Sequence, residues 1–249
     1  MLPEEQELIR LEAEQEQLKE QVTTAELALQ TARTQTVRFQ HRYHQIVGRL
    51  YAQLDELDAQ IARLLMDQAP DDTALRGRAR TAEQQAKKSA EEAGLVEAEP
   101  KPPPEIAPSL KLAYRQAVKL MHPDLATTEV ECQRRTELMS LVNLAYERGD
   151  QAAIEKLIEE FGQDPEAIVG EDIASRIVKA IRRIAQLRRR LVELQMEIEA
   201  QQKTELFQLR QTTEMAETLG DDPLGELAEQ LKEDISERQS KLTALRQRK

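Results

Sequence analysis

Apolar residues recur along residues 4–66 at spacings that alternate between four and three, from Leu11 to Leu64. Thirteen of the sixteen positions on this pattern are apolar. An apolar period of about 3.5 residues, sustained over this length, predicts one long helix that supercoils with a partner along a single seam. Such a helix does not bury its seam alone, so we expect a second helix to pack against it.

A second stretch with the same spacing begins near residue 172 and continues to Ile198. Gln201 interrupts it, and the apolar positions resume one residue out of phase at Leu206. This phase shift predicts a local change of supercoil within a continuous helix. The two stretches could pair within one chain as an antiparallel coiled coil, or they could form a parallel homodimer. Periodicity leaves both arrangements open.

A polar helix and a proline-rich linker separate the long helix from the middle of the chain. Pro70 breaks the first pattern, and an Ala-rich polar helix follows up to Gly94. The sequence LVEAEPKPPPEIAP then predicts a stiff, extended linker. We divide the chain into a long coiled-coil helix (1–69), a polar helix (70–94), a linker (95–108), a helical unit (109–162), a second coiled-coil helix (163–220) and a C-terminal helix (221–249).

Composition supports this all-α reading, in which long coiled-coil helices flank a small helical hairpin. The chain of 249 residues is 33% charged and 3% aromatic, a profile typical of long helices. Its net charge of −11 disfavours nucleic-acid binding. The single cysteine, Cys132, indicates a reduced, cytoplasmic protein without a disulfide framework. We expect no signal peptide and no membrane span, because no long apolar run is present.

Residues 109–162 have the apolar pattern of a small helical unit. A first helix ends at Met121, and a second ends at Gly149, a residue type that favours helix C-termini. A third, shorter helix follows over residues 151–161. We expect the two longer helices to share one apolar core. Its predicted members are Leu112, Tyr114, Val118, Leu138, Leu141, Val142, Ala145 and Tyr146.

The candidate chemistry lies between those two helices, in the sequence His122-Pro123-Asp124. Pro123 ends the preceding helix and stiffens the turn. Asp124 can offer a carboxylate to an arginine of a partner. Basic residues recur every four positions on the preceding helix and therefore form one stripe. They are Lys111, Arg115 and Lys119.

These residues resemble the J-domain, the module that stimulates DnaK-type chaperone ATPases. LAYRQAVKLMHPDL resembles the second J-domain helix with its His-Pro-Asp ending, and ELMSLVNLAYERGD resembles the third helix. The third-helix resemblance is carried by Val142, Asn143, Ala145 and Tyr146. The resemblance implies that His122, Pro123 and Asp124 trigger ATP hydrolysis in a DnaK-type chaperone. It also implies that Lys111, Arg115 and Lys119 form the docking face.

The sequence departs from the J-domain pattern in three ways. The usual first helix, with its Tyr-x-x-Leu-Gly signature, is replaced by the proline-rich linker. We expect the coiled coil, or the helix over residues 151–161, to cover the hairpin instead. Met121 stands before His122, where family members usually carry an aromatic residue. Finally, the chain has neither a Gly/Phe-rich region nor a Cys-rich zinc module.

Two functions follow from this interpretation. The first is a co-chaperone that docks on a DnaK-type chaperone, while its coiled coils select a client protein or a location. The second is a coiled-coil scaffold with a degenerate J-like hairpin. We expect neither catalytic residues nor a metal or cofactor, because the chain has no Gly-rich phosphate loop and no nucleophile with its base.

A dense basic cluster, Arg182–Arg190, lies on the second coiled-coil helix. It could bind an acidic partner, or it could pair with a facing acidic helix of the same chain. The Glu-rich first helix is the candidate for that pairing.

Overall fold

The computed structural model describes residues 2–98, 103–126, 128–162 and 173–247. Within these ranges the fold is helical and contains no strand, which confirms the predicted all-α class. The helices are α1 (Pro3–Tyr43), α2 (Arg49–Gln68), α3 (Thr73–Ala98), α4 (Pro108–Met121), α5 (Glu129–Glu147), α6 (Gln151–Gly162), α7 (Ile173–Gln202), α8 (Glu205–Thr218) and α9 (Pro223–Gln247).

A single run of helix extends from Pro3 to Gln68, because a π-helical turn, His44–Gly48, joins α1 to α2. This run confirms the long helix that the first seam predicts. Val47 in the π turn is fully buried. A Cβ atom at Gly48 would lie 2.6 Å from Nδ1 of His44, so glycine leaves room for the His44 ring.

The chain divides into two compact units, and each combines two separate stretches of sequence. Unit 1 comprises Met1–Gln35 and Pro103–Thr204, and unit 2 comprises Thr36–Pro102 and Glu205–Lys249. Whereas the six predicted segments are consecutive, each unit therefore combines helices from distant parts of the sequence.

In unit 1, α1 and α7 pack along an apolar seam. The seam residues are Leu11, Leu18, Val22, Ala25 and Leu29 of α1 and Ile177, Ala180, Ile184, Leu187, Leu191, Leu194 and Ile198 of α7. Three flanking ion pairs each join residues 164 positions apart: Glu12–Arg176, Glu26–Arg190 and Arg33–Glu197. Because this separation is constant, the two helices run parallel.

The two helices do pair within one chain, but the predicted antiparallel direction of that pairing was wrong. An apolar period specifies which face of a helix is buried, but it does not specify the direction of the partner. The three ion pairs with a constant separation of 164 residues match the parallel direction, and Glu14 pairs with Arg188 outside that register. The prediction that the basic cluster faces the Glu-rich start of the chain is confirmed for Arg188 and Arg190. Association of two chains stays a prediction.

In unit 2, α2 packs against both α3 and α9. Asp55 accepts a hydrogen bond from Gln85 at 3.2 Å, and Arg63 lies 3.6 Å from Glu83. The order of these pairs makes α2 and α3 antiparallel. Apolar residues 43–54 pack against residues 227–231 of α9, and apolar residues 50–65 pack against residues 235–245. Helix α9 therefore runs parallel to α2.

Helices α4, α5 and α6 form a three-helix hairpin unit in unit 1, called the hairpin below. Thr128 caps α5 by accepting a hydrogen bond from the Glu131 N–H, 3.2 Å away. Gly149 follows α5 with φ of +70°, and a Cβ atom there would clash with Cγ of Pro104. Backbone conformation and space therefore both require glycine at this position.

Two predicted boundaries were wrong. Gly94 does not end the polar helix, because α3 continues to Ala98. The second coiled-coil helix predicted over 163–220 is broken after Gln202 and resumes at Glu205. At the break, the side chain and the N–H of Thr204 both donate to the carbonyl of Gln201, and such local bonding competes with helix. Residues 99–102 of the predicted linker and residues 163–172 lie outside the described ranges.

None of the described helices is both long enough and apolar enough to cross a membrane.

The parallel seam predicts which side chains of α7 carry stability. Leu194 is fully buried in the seam, whereas Met196, two positions along, is 66% exposed. Leu194→Ala should lower the free energy of unfolding by about 2–5 kcal/mol, because it leaves a cavity. Urea denaturation followed by circular dichroism measures this loss. Met196→Ala is the matched control and should change stability by less than about 0.5 kcal/mol. Equal losses for the two variants would contradict this packing.

Candidate functional site

Two tyrosines in contact, with their ring planes tilted by 56°, lie in the core of the hairpin. Tyr114 of α4 and Tyr146 of α5 are almost fully buried, and their ring centroids lie 4.7 Å apart. The Tyr114 hydroxyl donates to Oδ1 of Asn143 at 2.8 Å. The Tyr146 hydroxyl lies 2.9 Å from that of Thr31 on α1. Polar groups inside the hairpin are thereby satisfied, and one of them ties the hairpin to α1.

The hairpin core differs in part from the predicted one. Tyr114, Val118, Val142, Ala145 and Tyr146 are buried, and Leu138 packs against them partly buried. The predictions for Leu112 and Leu141 were wrong, since they are 68% and 51% exposed. The buried face of α4 follows positions 110, 113, 114, 117, 118 and 121, and Leu112 points away from it. Core residues not predicted are Leu110, Ala113, Ala117, Met139 and Ile154.

Helix α6 and helix α1 both pack on α4 and α5, whereas the sequence predicted the coiled coil or the helix over residues 151–161 in that place. From α6, Leu157, Ile158 and Phe161 pack against the core, and Ile154 lies within it. From α1, Leu27 packs against the same cluster. Residues on both sides of α4 and α5 in sequence thus cover these two helices.

The His122-Pro123-Asp124 sequence forms a tight turn after α4. Pro123–Leu125 form one 3₁₀ turn. The Asp124 N–H donates to Nδ1 of His122 at 3.2 Å. Because Nδ1 accepts this bond, the proton of the neutral ring is assigned to Nε2. Nε2 then donates to Oε1 of Glu26 on α1, 3.2 Å away. His122 is only 7% exposed, so α1 covers the first residue of the motif.

Glu26 is the meeting point of the hairpin, α1 and α7. Its Oε1 atom accepts from His122 and also from Nε and Nη2 of Arg190, at 3.0 and 2.8 Å. Burial raises the pKa of Glu26, but the hydrogen bond from His122 and the charge and hydrogen bonds of Arg190 outweigh burial and hold that pKa below its ordinary value. Glu26 is therefore ionised in the folded protein at neutral pH.

Asp124 is in a less favourable environment. Its Oδ2 atom is buried and has no hydrogen-bond partner among the described residues, although Nδ1 of His122 lies 3.4 Å away. Burial raises the pKa of Asp124, and the nearby charge of Arg190 offsets this only in part. The carboxylate that the J-domain resemblance assigns to a partner is thus partly desolvated without full compensation.

Two members of the predicted basic stripe contact a second carboxylate of α1. Arg115 and Lys119 both pair with Glu20, and the Lys119–Glu20 distance is 2.5 Å. Chiefly the hydrogen bond from Lys119 lowers the pKa of Glu20. All three side chains are partly exposed. Lys111, the third member, lies one turn further from the motif and pairs with no described residue.

Two further arginines hold the turn in place, and sequence reasoning missed both roles. Nη1 of Arg135 on α5 donates to the carbonyl of Leu120 at 2.9 Å, while its guanidinium lies 5.0 Å from the Phe161 ring. Nη2 of Arg183 on α7 donates to the carbonyl of Leu125 at 3.4 Å, and burial lowers the pKa of Arg183. The Arg135–Leu120 bond joins helices that are neighbours only after folding, so no local pattern indicates it.

The site offers hydrogen-bonding and charged groups. Among the described residues, no group of three or more His, Cys, Asp or Glu side chains is placed to hold a metal ion. No family model matches the chain, and neither a curated protein nor a solved structure is significantly similar to it.

The low pKa of Glu26 predicts a pH-dependent contribution to stability. A carboxyl group with a lowered folded-state pKa stabilises the fold above its unfolded-state pKa, and that stability is lost as the pH falls through the folded-state value. Glu26→Gln should therefore lower the free energy of unfolding near neutral pH. The deficit should shrink below about pH 4.3, the ordinary pKa of glutamate. Urea titrations of the wild type and Glu26→Gln at a series of pH values measure this difference in the free energy of unfolding.

Glu14→Gln is the matched control for this experiment. Glu14 pairs with Arg188 on α7 but contacts no residue of the hairpin, and Arg188 is largely exposed. We expect a smaller deficit for this variant at neutral pH, since exposed ion pairs contribute little. A Glu26→Gln deficit that stays constant from neutral to acidic pH would show that the charge of Glu26 is not what stabilises the fold.

Proposed function

We propose that this chain is a J-domain-type co-chaperone that docks on a DnaK-type chaperone and stimulates its ATP hydrolysis. The observation that carries the proposal is the His122-Pro123-Asp124 turn, held between a basic helix and a second helix by one buried core. The residues that carry the J-domain resemblance on α5 fit this arrangement. Asn143 bonds to Tyr114, and Val142, Ala145 and Tyr146 are buried.

A rigid turn suits the proposed role for a physical reason. A partner that binds a preformed turn loses less conformational entropy than one that must order it. Pro123 restricts the backbone, and Arg135 and Arg183 fix the turn at either end. Charges on α4 would steer and orient the partner more than they add affinity. The chain itself would carry no catalytic residue.

The coiled-coil units would supply selectivity. The parallel α1–α7 pair and the helices of unit 2 lie outside the J-like region, and in this proposal they select a client protein or a location in the cytoplasm. A scaffold with a degenerate hairpin is the second candidate. It is favoured by one observation, namely that His122, Arg115 and Lys119 already bond to α1.

A single-turnover ATPase assay separates the two functions. The protein is added to a DnaK-type chaperone preloaded with ATP, and the hydrolysis rate is followed against protein concentration. For the co-chaperone, the rate rises with concentration. His122→Gln should weaken stimulation about tenfold or more, since hydrogen bonds to charged groups contribute about 1.5–3 kcal/mol.

The control is His44→Gln, the same chemical change in unit 2. It should stimulate like the wild type, and circular dichroism should show equal helicity for all three proteins. A wild-type protein that leaves the hydrolysis rate unchanged rejects the co-chaperone. Equal stimulation by the wild type and His122→Gln rejects the assigned role of the motif.

A further inference from the structure

We propose that α1 is an internal inhibitor of the hairpin: Glu20 and Glu26 occupy the groups through which the hairpin would dock, and docking requires the hairpin to separate from α1. This inference rests on the proposed function, because it concerns regulation of the same site. Three observations support it: the hairpin groups that α1 contacts, the polar character of those contacts, and the buried Asp124 oxygen that they leave without a hydrogen bond.

The contacts of α1 coincide with the proposed docking groups. Glu20 pairs with Arg115 and Lys119, and Glu26 bonds to His122. Three of the six residues assigned to chaperone binding are thus bonded to α1. A carboxylate on a partner would compete directly with Glu20 for the two basic side chains. A partner would reach His122 only after Glu26 has moved, because His122 is almost fully buried.

The contacts between α1 and the hairpin are of a kind that can separate. The hairpin core consists of residues 106–161 and receives Leu27 from α1. Polar bonds also cross this interface, with Gln30 donating to Glu147 at 3.0 Å and the Thr31 and Tyr146 hydroxyls 2.9 Å apart. Polar interfaces between separately packed elements are typical of parts that move relative to one another.

Each side of this interface keeps a core of its own when the two sides part. Helices α4, α5 and α6 enclose the hairpin cluster, and α1 keeps its seam with α7. Because α1 stays with α7, opening would also break the bond from Arg183 to the Leu125 carbonyl. Arg190 retains Glu193 and Glu197, at 3.3 and 3.1 Å, after Glu26 has lost His122.

The closed arrangement also carries a cost that opening would relieve. Oδ2 of Asp124 is buried without a hydrogen-bond partner among the described residues. A buried acceptor that loses water without gaining a donor opposes the closed state. Exposed ion pairs such as those of Glu20 add little to hold it. The two states can therefore lie close in free energy, so that a partner or a change in α1 can shift their populations.

The test uses full-length Glu20→Gln/Glu26→Gln in the ATPase assay with a DnaK-type chaperone. If one-tenth of the wild-type molecules are open, releasing the hairpin lowers the concentration for half-maximal stimulation about tenfold. Glu20→Gln alone, a change at a partly exposed contact, should give an intermediate decrease and keeps the test valid if the double variant unfolds. Glu14→Gln weakens the α1–α7 pair without touching the hairpin and should match the wild type.

A second readout does not depend on the chaperone. Hydrogen–deuterium exchange at the imidazole C2 position, measured by mass spectrometry, reports the exposure of His122. The double variant should exchange faster at His122, with unchanged exchange at His44 as internal control. Equal half-maximal concentrations for the wild type and the double variant, or equal exchange at His122, would overturn the inference.

A reversible cross-link tests the closed state in the opposite direction. Gln30→Cys/Glu147→Cys, in a Cys132→Ser background, joins α1 to the hairpin at a contact outside the docking groups, through a short thiol-reactive linker that contains a reducible disulfide. We expect stimulation to be lost on cross-linking and to return on cleavage; unchanged stimulation by the cross-linked protein overturns inhibition by α1. If the wild type, Glu20→Gln and Glu20→Gln/Glu26→Gln all stimulate equally, the proposed inhibition by α1 is rejected and the proposed function stands. If none of them stimulates, the proposed function fails and the inference fails with it.

Discussion

The buried carboxylate of Glu26 is the interaction on which unit 1 depends. An ionised group away from water is tolerated only when it is paired and hydrogen-bonded. Glu26 meets this condition with partners from two other elements, Arg190 of α7 and His122 at the end of α4. One side chain therefore joins the coiled coil to the hairpin. Removing Arg190 would leave the charge of Glu26 uncompensated, and removing His122 would cost Glu26 a hydrogen bond.

The parallel α1–α7 seam positions Glu26 along α1 so that it reaches both Arg190 and the hairpin. A constant separation of 164 residues sets Glu26 opposite Arg190, close to the buried Val22, Leu29, Leu187 and Leu194. The hairpin contacts the same part of α1 through Leu27, Gln30 and Thr31. The seam thus positions the carboxylates that reach the hairpin.

Sequence reasoning predicted the elements well because their signals are local. The unbroken seam from Leu11 to Leu64 indicates the long helix, and the His-Pro-Asp motif between two amphipathic helices indicates the hairpin. The burial of Tyr114 and Tyr146 follows the helical period, whereas Leu112 was assigned by its apolar character without regard to its angle around α4.

The features that periodicity does not predict are the relations between elements. The direction of α7 depends on charge register, and the placement of Glu20 and Glu26 over Arg115, Lys119 and His122 depends on tertiary packing. The roles of Arg135 and Arg183 have the same origin, since each bonds to a carbonyl of another element. The sequence indicates the basic stripe, but it does not indicate that Glu20 of the same chain pairs with Arg115 and Lys119.

The most direct test of this account is a double-mutant cycle between Glu26 and His122, measured by urea unfolding. Free energies of unfolding are compared for the wild type, Glu26→Gln, His122→Gln and the double variant. Contacting residues in one hydrogen-bonded network couple by about 0.5–3 kcal/mol, and we expect a favourable coupling in that range. Additive effects of the two substitutions, within about 0.3–0.5 kcal/mol, would contradict the claim that Glu26 joins the coiled coil to the hairpin.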